Sequence, residues 1–186
     1  MSLPIISYVN FNRLSEEDLL YILDKRNDPN IRQLMVNQEI ISRRDHLSFC
    51  EKLKKSSDKL YFLMKYNEEK VGVFNFTSID FDAHTYEPGC YFFDESVPNN
   101  RTDIVCGVSY IRKKFKLYYP TIRVKKDNYQ AVIFNVMKMN CEIIKEDSVF
   151  YYLKPAEEPE NEEELVASFD KGLDFLKQYY NFEYLF

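Results

Sequence analysis

Glycine is scarce, with 4 in 186 residues, and the devices that glycine builds are missing with it. There is no Gly-x-Ser-x-Gly nucleophile elbow, no Walker phosphate loop and no dinucleotide fingerprint, and the metalloprotease helix motif is lacking too. Tryptophan is absent and histidine occurs twice, at His46 and His84. The four cysteines (50, 90, 106 and 141) lie far apart without a Cys-x-x-Cys pair. That spacing excludes a zinc site, so no metal is expected, and reduced thiols would pack as small apolar core residues. No window approaches the roughly 18 uncharged residues of a membrane span. The opening Met1-Ser2-Leu3-Pro4-Ile5 lacks the basic-then-apolar order of a secretory signal, which reads as a cytoplasmic chain with no membrane partner.

What the chain does have is aromatic mass: 15 Phe and 15 Tyr within a composition that is 45% hydrophobic and 30% charged. Such a chain buries one sizeable core. The net charge of -5 is unevenly placed, because residues 155–164 carry six glutamates and no base. Outside that run 25 basic residues face 24 acidic ones. The body is nearly neutral, so bulk electrostatics give no reason to expect a nucleic-acid partner.

Periodicity orders the elements. Ser15 caps a first helix with Asp18 at the capping-box position, and Pro29 interrupts it. A second helix starts at Ser42, with Leu47, Cys50 and Leu53 on one face. Residues 60–66 and 71–80 read as a hairpin around a four-residue turn, and residues 88–93 as a third strand. Thr102 or Asp103 caps a helix whose buried face is Ile104, Val108, Ile111 and Phe115. A short strand over 121–125, a helix capped by Asp127, and a hairpin over 142–144 and 149–153 follow. The fold class is therefore α+β: a central mixed sheet flanked by helices. Residues 1–154 form the domain and 155–164 an acidic linker. Residues 165–186 form an added amphipathic helix (Leu165, Phe169, Leu173, Leu176, Tyr180), packed on the domain or on a partner such as a second copy in a homodimer.

Spacing alone carries no activity further than this. The run Lys25 to Met35, with Ile41-Ser42, His46-Leu47-Ser48-Phe49, Tyr61-Phe62-Leu63 and Val71-Gly72-Val73, resembles a known family. So do Gly89-Cys90-Tyr91, Ile122-Arg123-Val124 and Asn128 to Phe134. Together they resemble the GCN5-related N-acetyltransferases of nucleotide-sugar pathways, in particular those of pseudaminic acid biosynthesis. The resemblance covers roughly residues 20 to 145 and implies an enzyme that uses acetyl-CoA as co-substrate to acetylate the amine of a nucleotide-linked deoxy sugar.

It also implies residue roles. The strand at Gly89 to Phe93 would meet the pantetheine arm and the thioester, with the backbone at Phe92 polarising the carbonyl and Phe93 beside it. Asn99, Asn100, Arg101 and Thr102 occupy the pyrophosphate loop, where the family's glycines are missing. Asn128 corresponds to the cofactor-side asparagine, and Asn135 stands where the family's acidic tyrosine usually is. Glu87 is the candidate to draw a proton from the amine. Arg26, Met35, His46 and Phe49 fall on the acceptor side, although each also has an ordinary structural reading as helix-end cation, core residue or hydrogen-bonded histidine. No cysteine sits in a nucleophile setting, so the acetyl group would pass by direct attack. The alternative is a non-catalytic binding or scaffolding module of the same fold. The two part on whether the gap between residues 89–93 and 121–125 is open or plugged by aromatic rings.

Overall fold

The computed structural model describes residues 2–93, 100–157 and 159–186. Its first strand, β1 (Ile5–Asn10), is followed by a single 3-10 turn and then α1 (Glu16–Asn27). Ser15 caps α1 as expected, accepting from the Asp18 N–H and donating to its carboxylate. The helix stops before Pro29, which opens the short α2 (Pro29–Arg32) under an Asp28 cap. Ser42 then caps α3 (Arg43–Leu53).

β2 (Leu60–Tyr66) and β3 (Glu69–Asp80) form the expected hairpin, but its turn has two residues rather than four. Asn67 and Glu68 both take positive φ (47° and 69°), the left-handed pair that matches the twist of the flanking strands. β4 (Thr85–Phe92) starts three residues earlier than its periodicity suggested. The helix expected through Phe115 is broken into α4 (Arg101–Cys106) and α5 (Ser109–Phe115). At the break, Gly107 lies so close to the Tyr8 hydroxyl and Phe182 that no Cβ would fit. Asn100, not Thr102 or Asp103, is the N-cap of α4. The remaining elements are β5 (Tyr119–Pro120), β6 (Ile122–Lys125), α6 (Tyr129–Ile133) with a π turn to Lys138, β7 (Cys141–Glu146), β8 (Phe150–Pro155), α7 (Glu162–Leu176) and β9 (Asn181–Leu185). Asn128 rather than Asp127 caps α6.

The central sheet has the order β5-β4-β3-β2-β1-β9; the pairs β4/β5 and β1/β9 are parallel and the others antiparallel. β6 does not join it. Pro120 offers no N–H at the sheet edge, and past Thr121 the chain turns into a separate three-stranded sheet, β6-β8-β7. Both faces of the central sheet are covered, which is why β2 and β3 read as nearly continuous apolar runs rather than alternating ones. On one face α1 and α3 bury Leu19, Ile22, Cys50, Leu63 and Val73. On the other, α4 and α5 bury Tyr8, Phe62, Phe74, Phe76, Ile104 and Ile111.

The tail differs from a lone helix. α7 begins at Glu162, inside the acidic run, so three glutamates occupy its first turn where the helix dipole favours them. Its face of Leu165, Phe169, Leu173 and Leu176 is buried, and Lys113 of α5 pairs with Asp170 at 2.6 Å. Tyr180 lies past the helix and donates to the Asp103 carboxylate at 2.7 Å. The chain then adds β9 to the edge of β1, stacking Tyr184 on Tyr8 and donating from the Tyr184 hydroxyl to the Gly107 carbonyl. No helix among the described residues is long and apolar enough to cross a membrane.

Candidate active site

β4 pairs with β3 along its length but with β5 only at Thr85↔Tyr119 and Tyr86↔Pro120. The last bond across that edge is from the Thr121 N–H to the Tyr86 carbonyl, 2.8 Å. Beyond it the two strands belong to different sheets, and a cleft of about 1880 Å³ opens between them. That is roughly twice the upper end of the ~300–1,000 Å³ usual for one drug-sized ligand, so there is room for two substrates.

The edge of β4 that faces the gap is chemically specific. The Phe93 N–H donates to the Val71 carbonyl of β3 at 2.9 Å. Strand alternation then turns the N–H groups of Phe92 and Cys90 the other way, into the gap. The rings of Tyr91 and Phe93 pack with each other, and Phe93 also meets Tyr21 of α1, so they are drawn to the α1 face rather than across the opening. The gap is lined by aromatic rings but not plugged by them.

On the α4–α5 side, the Arg101 guanidinium sits 5.2 Å from the centre of the Phe92 ring. Arg101 and Val105, one helical turn apart, face the cleft, whereas Asn100 and Thr102 are off its wall. Asn99 lies outside the described residues. Among the described residues no side chain caps the first turn of α4: Asn100 makes no cap bond and Asp103 is engaged by Tyr180. An anionic pyrophosphate fits this start with Arg101 beside it; the fit rests on a guanidinium and the N–H groups of the first turn instead of glycines. On the α6 side Asn128 lines the cleft, its Oδ1 accepting from the Ala131 N–H at 3.1 Å. Asn135 spends its amide N–H on the Ala131 carbonyl at 2.8 Å and so is part of the helix backbone network.

The opposite mouth is walled by α1, α3 and the segment between α2 and α3. Arg26, Met35, His46 and Phe49 all line it, together with Tyr61 and Tyr91. Phe49 meets Tyr61 edge-on at 5.3 Å. Arg26 donates from Nη2 to the Asn37 carbonyl at 2.7 Å, while its Nη1 is buried with no partner among the described residues. His46 is buried, and its Nε2 donates to the Leu19 carbonyl at 2.9 Å, joining α3 to α1. Burial lowers its pKa, partly countered by that bond, so the ring is neutral.

Glu87 and Arg123 face each other across the gap: one carboxylate oxygen takes Nη2 at 2.9 Å and Nε at 3.1 Å. Arg123 also lies 4.8 Å over the Phe150 ring. The sequence reading quoted Arg123 and Tyr61 without giving either a role, and it named the Gly89 to Phe93 backbone without singling out the Cys90 N–H; the strand alternation that exposes that group appears only once the β3 register is known. Cys90, read from the sequence as core, is open to the cleft, yet the walls packed about it push its thiol up to about 12. A thiol so hard to ionise is a poor acyl acceptor.

No family model matches the chain. Curated proteins do: the chain is 28% identical over 157 residues to acetyltransferase PseH of Campylobacter jejuni, covering 80% of this chain and 92% of that protein. The solved structure of Campylobacter jejuni N-acetyltransferase PseH in complex with acetyl coenzyme A superposes with a TM-score of 0.63 at 25% identity, over 80% of this chain and 96% of that one. FdhC, described as a nucleotide-linked sugar GNAT, shares the fold at a TM-score of 0.66 and 13% identity, over 95% of this chain and 94% of its own. With the splayed strands and the open gap between them, these likenesses give the chain the fold of the GCN5-related N-acetyltransferases, and in sequence it is similar to acetyltransferase PseH.

Proposed function

We propose that the protein transfers the acetyl group of acetyl-CoA to an amino group of a nucleotide-linked amino-deoxy sugar, by direct attack and without an acyl-enzyme. The observation that carries this reading is the gap between β4 and β6, open on both faces of the sheet, with the Phe92 and Cys90 N–H groups turned into it. Those donors suit the oxygen of a thioester laid along β4, where negative charge grows as the amine attacks. Arg101, backed by the start of α4, takes the pyrophosphate, and Asn128 borders the pantetheine path. Bringing a neutral amine to the carbonyl is mainly a matter of position, supplied from the other mouth. There Met35 and Phe49 offer apolar walls for a base, Arg26 brings a buried guanidinium N–H for an anionic oxygen, and His46 holds α3 against α1. Glu87 is the base for the amine proton, through the carboxylate oxygen that Arg123 leaves unpaired. The reaction is cytoplasmic.

Thermal melting against acetyl-CoA tests the first half of this reading, since a ligand that binds only the folded state raises the midpoint. Release of free thiol over a panel of UDP-linked amino sugars, with spermidine as a contrasting amine, tests the second. A midpoint that does not move at millimolar acetyl-CoA refutes the cofactor, and turnover confined to spermidine refutes the acceptor.

A further inference from the structure

Arg112 of α5 lies at the point where the cleft begins. Its Nε and Nη2 donate to the carbonyls of Leu117 and Tyr118 at 3.2 and 3.0 Å, which ties it to the segment running into β5. Its guanidinium is 5.6 Å from the ring centre of Tyr86, the last residue of β4 that pairs with β5. From the other direction α7 brings Phe169, whose ring centre is 4.4 Å from the same guanidinium. Among the described residues no carboxylate pairs with Arg112; the two carbonyls, the rings and a side-chain hydrogen bond to the Tyr86 hydroxyl hold it. Leu165 and Ser168 of α7 stand on the cleft wall beside it. One side chain thus joins β4 to the segment that runs through β5 toward β6, where the gap opens, and α7 presses it into place.

We propose that Arg112, held by Phe169, is a positioning residue that sets the opening between β4 and β6, and that α7 is thereby a working part of the acetyl-CoA slot. The inference rests on the proposed function, in which that gap takes the cofactor. A guanidinium clamped between rings keeps its fork aimed at two carbonyls; freed from Phe169 it can swing, and the apex of the gap loses its fixed angle. The binding free energy then has to include the ordering of the walls, which weakens cofactor affinity. The acceptor mouth at Arg26 and Phe49 lies on the other face of the sheet and keeps its own packing.

The test is calorimetric titration of acetyl-CoA into wild type, Phe169→Leu, Phe169→Tyr, Arg112→Lys and Leu173→Ala, each also melted to follow stability. Phe169→Leu fills the volume but removes the ring face, and should weaken acetyl-CoA binding about tenfold, the scale of a desolvated cation–π contact. Phe169→Tyr keeps the ring and should restore affinity. Arg112→Lys keeps the charge without the fork and should weaken binding like the leucine variant. Leu173→Ala, buried on the same helix away from Arg112, should lower the melting midpoint and leave affinity within about twofold, the non-additive coupling being local. Affinity unchanged in Phe169→Leu and Arg112→Lys overturns the inference, as does an equal loss in Leu173→Ala, which would mark a general effect of stability. Wild type that binds no acetyl-CoA overturns the proposed function instead, and the inference with it.

Discussion

Replacing Glu87 by Gln separates catalysis from architecture, because the structure assigns very different magnitudes to the two. The Glu87 and Arg123 side chains are 28% and 37% exposed, and their closest contact is 2.9 Å. Ion pairs of this accessibility contribute about 0.2–1 kcal/mol, and the glutamine oxygen still accepts from the guanidinium. The melting midpoint should therefore fall by no more than about 4 °C for a chain of this size. A lost general base, by contrast, costs about 10²–10⁴ in rate, or roughly 2.7–5.5 kcal/mol of barrier. Steady-state thiol release at saturating acetyl-CoA should show kcat reduced at least about a hundredfold with the acetyl-CoA KM little changed. Arg123→Gln, which leaves the carboxylate in place, should retain more activity than Glu87→Gln. A kcat for Glu87→Gln within about threefold of wild type would refute the assignment, since no general-base role is compatible with so small a loss.

His46 should impose a pH dependence on stability. Burial lowers its folded pKa, so the folded state binds fewer protons than the unfolded chain. The stabilisation is whole above the unfolded value of about 6.5 and is lost as pH falls below it. Denaturation curves across that range should be flatter in His46→Gln than in wild type, and parallel curves would contradict the buried neutral ring. Gly107→Ala should cost about 1–3 kcal/mol by overpacking, because its new methyl group would meet Phe182 at 2.6 Å and the buried Tyr8. Gly172→Ala, where nothing lies within 4 Å, should instead stabilise α7 by about 0.5–1 kcal/mol; melting both variants checks the pair. Cys90, held near 12 by burial although the cleft reaches it, should react with iodoacetamide at pH ~8 at least a hundredfold more slowly than a free thiol. Rapid labelling of Cys90, located by mass spectrometry, would reopen a covalent route.

Much of the fold was legible because it is written locally. Ser15 and Ser42 sit where a helix start requires an oxygen acceptor, and both cap a helix. The apolar run Leu60–Tyr66 is a strand with a buried centre, and the i, i+4 spacing of Leu165, Phe169 and Leu173 describes a face that is buried. Strands β1 and β9 escaped notice for a common reason. Each is an apolar and aromatic run near a chain end whose pairing partners lie far off in sequence: β1 pairs with β2 and with β9, and β9 pairs with β1, more than 170 residues away. The break at Gly107 is of the same kind: the helical spacing from Ile104 to Phe115 is continuous, and only the Tyr8 ring from another strand interrupts it. In the cleft, the motif residues Arg26, Met35, His46, Phe49, Arg101 and Asn128 could be numbered from resemblance. The partner of Glu87 could not, because Arg123 comes from a strand in a different sheet.

Chain order and composition by themselves determined where α1 and α3 start and which helix faces are apolar, since capping, periodicity and residue type act over a few neighbours. The tertiary structure alone decided that β6 parts from β4 beyond Pro120, that the Phe92 N–H points into the resulting gap, and that Phe169 reaches Arg112. Those depend on register and packing between segments far apart in sequence, where a shift of one residue would turn every donor to the opposite side.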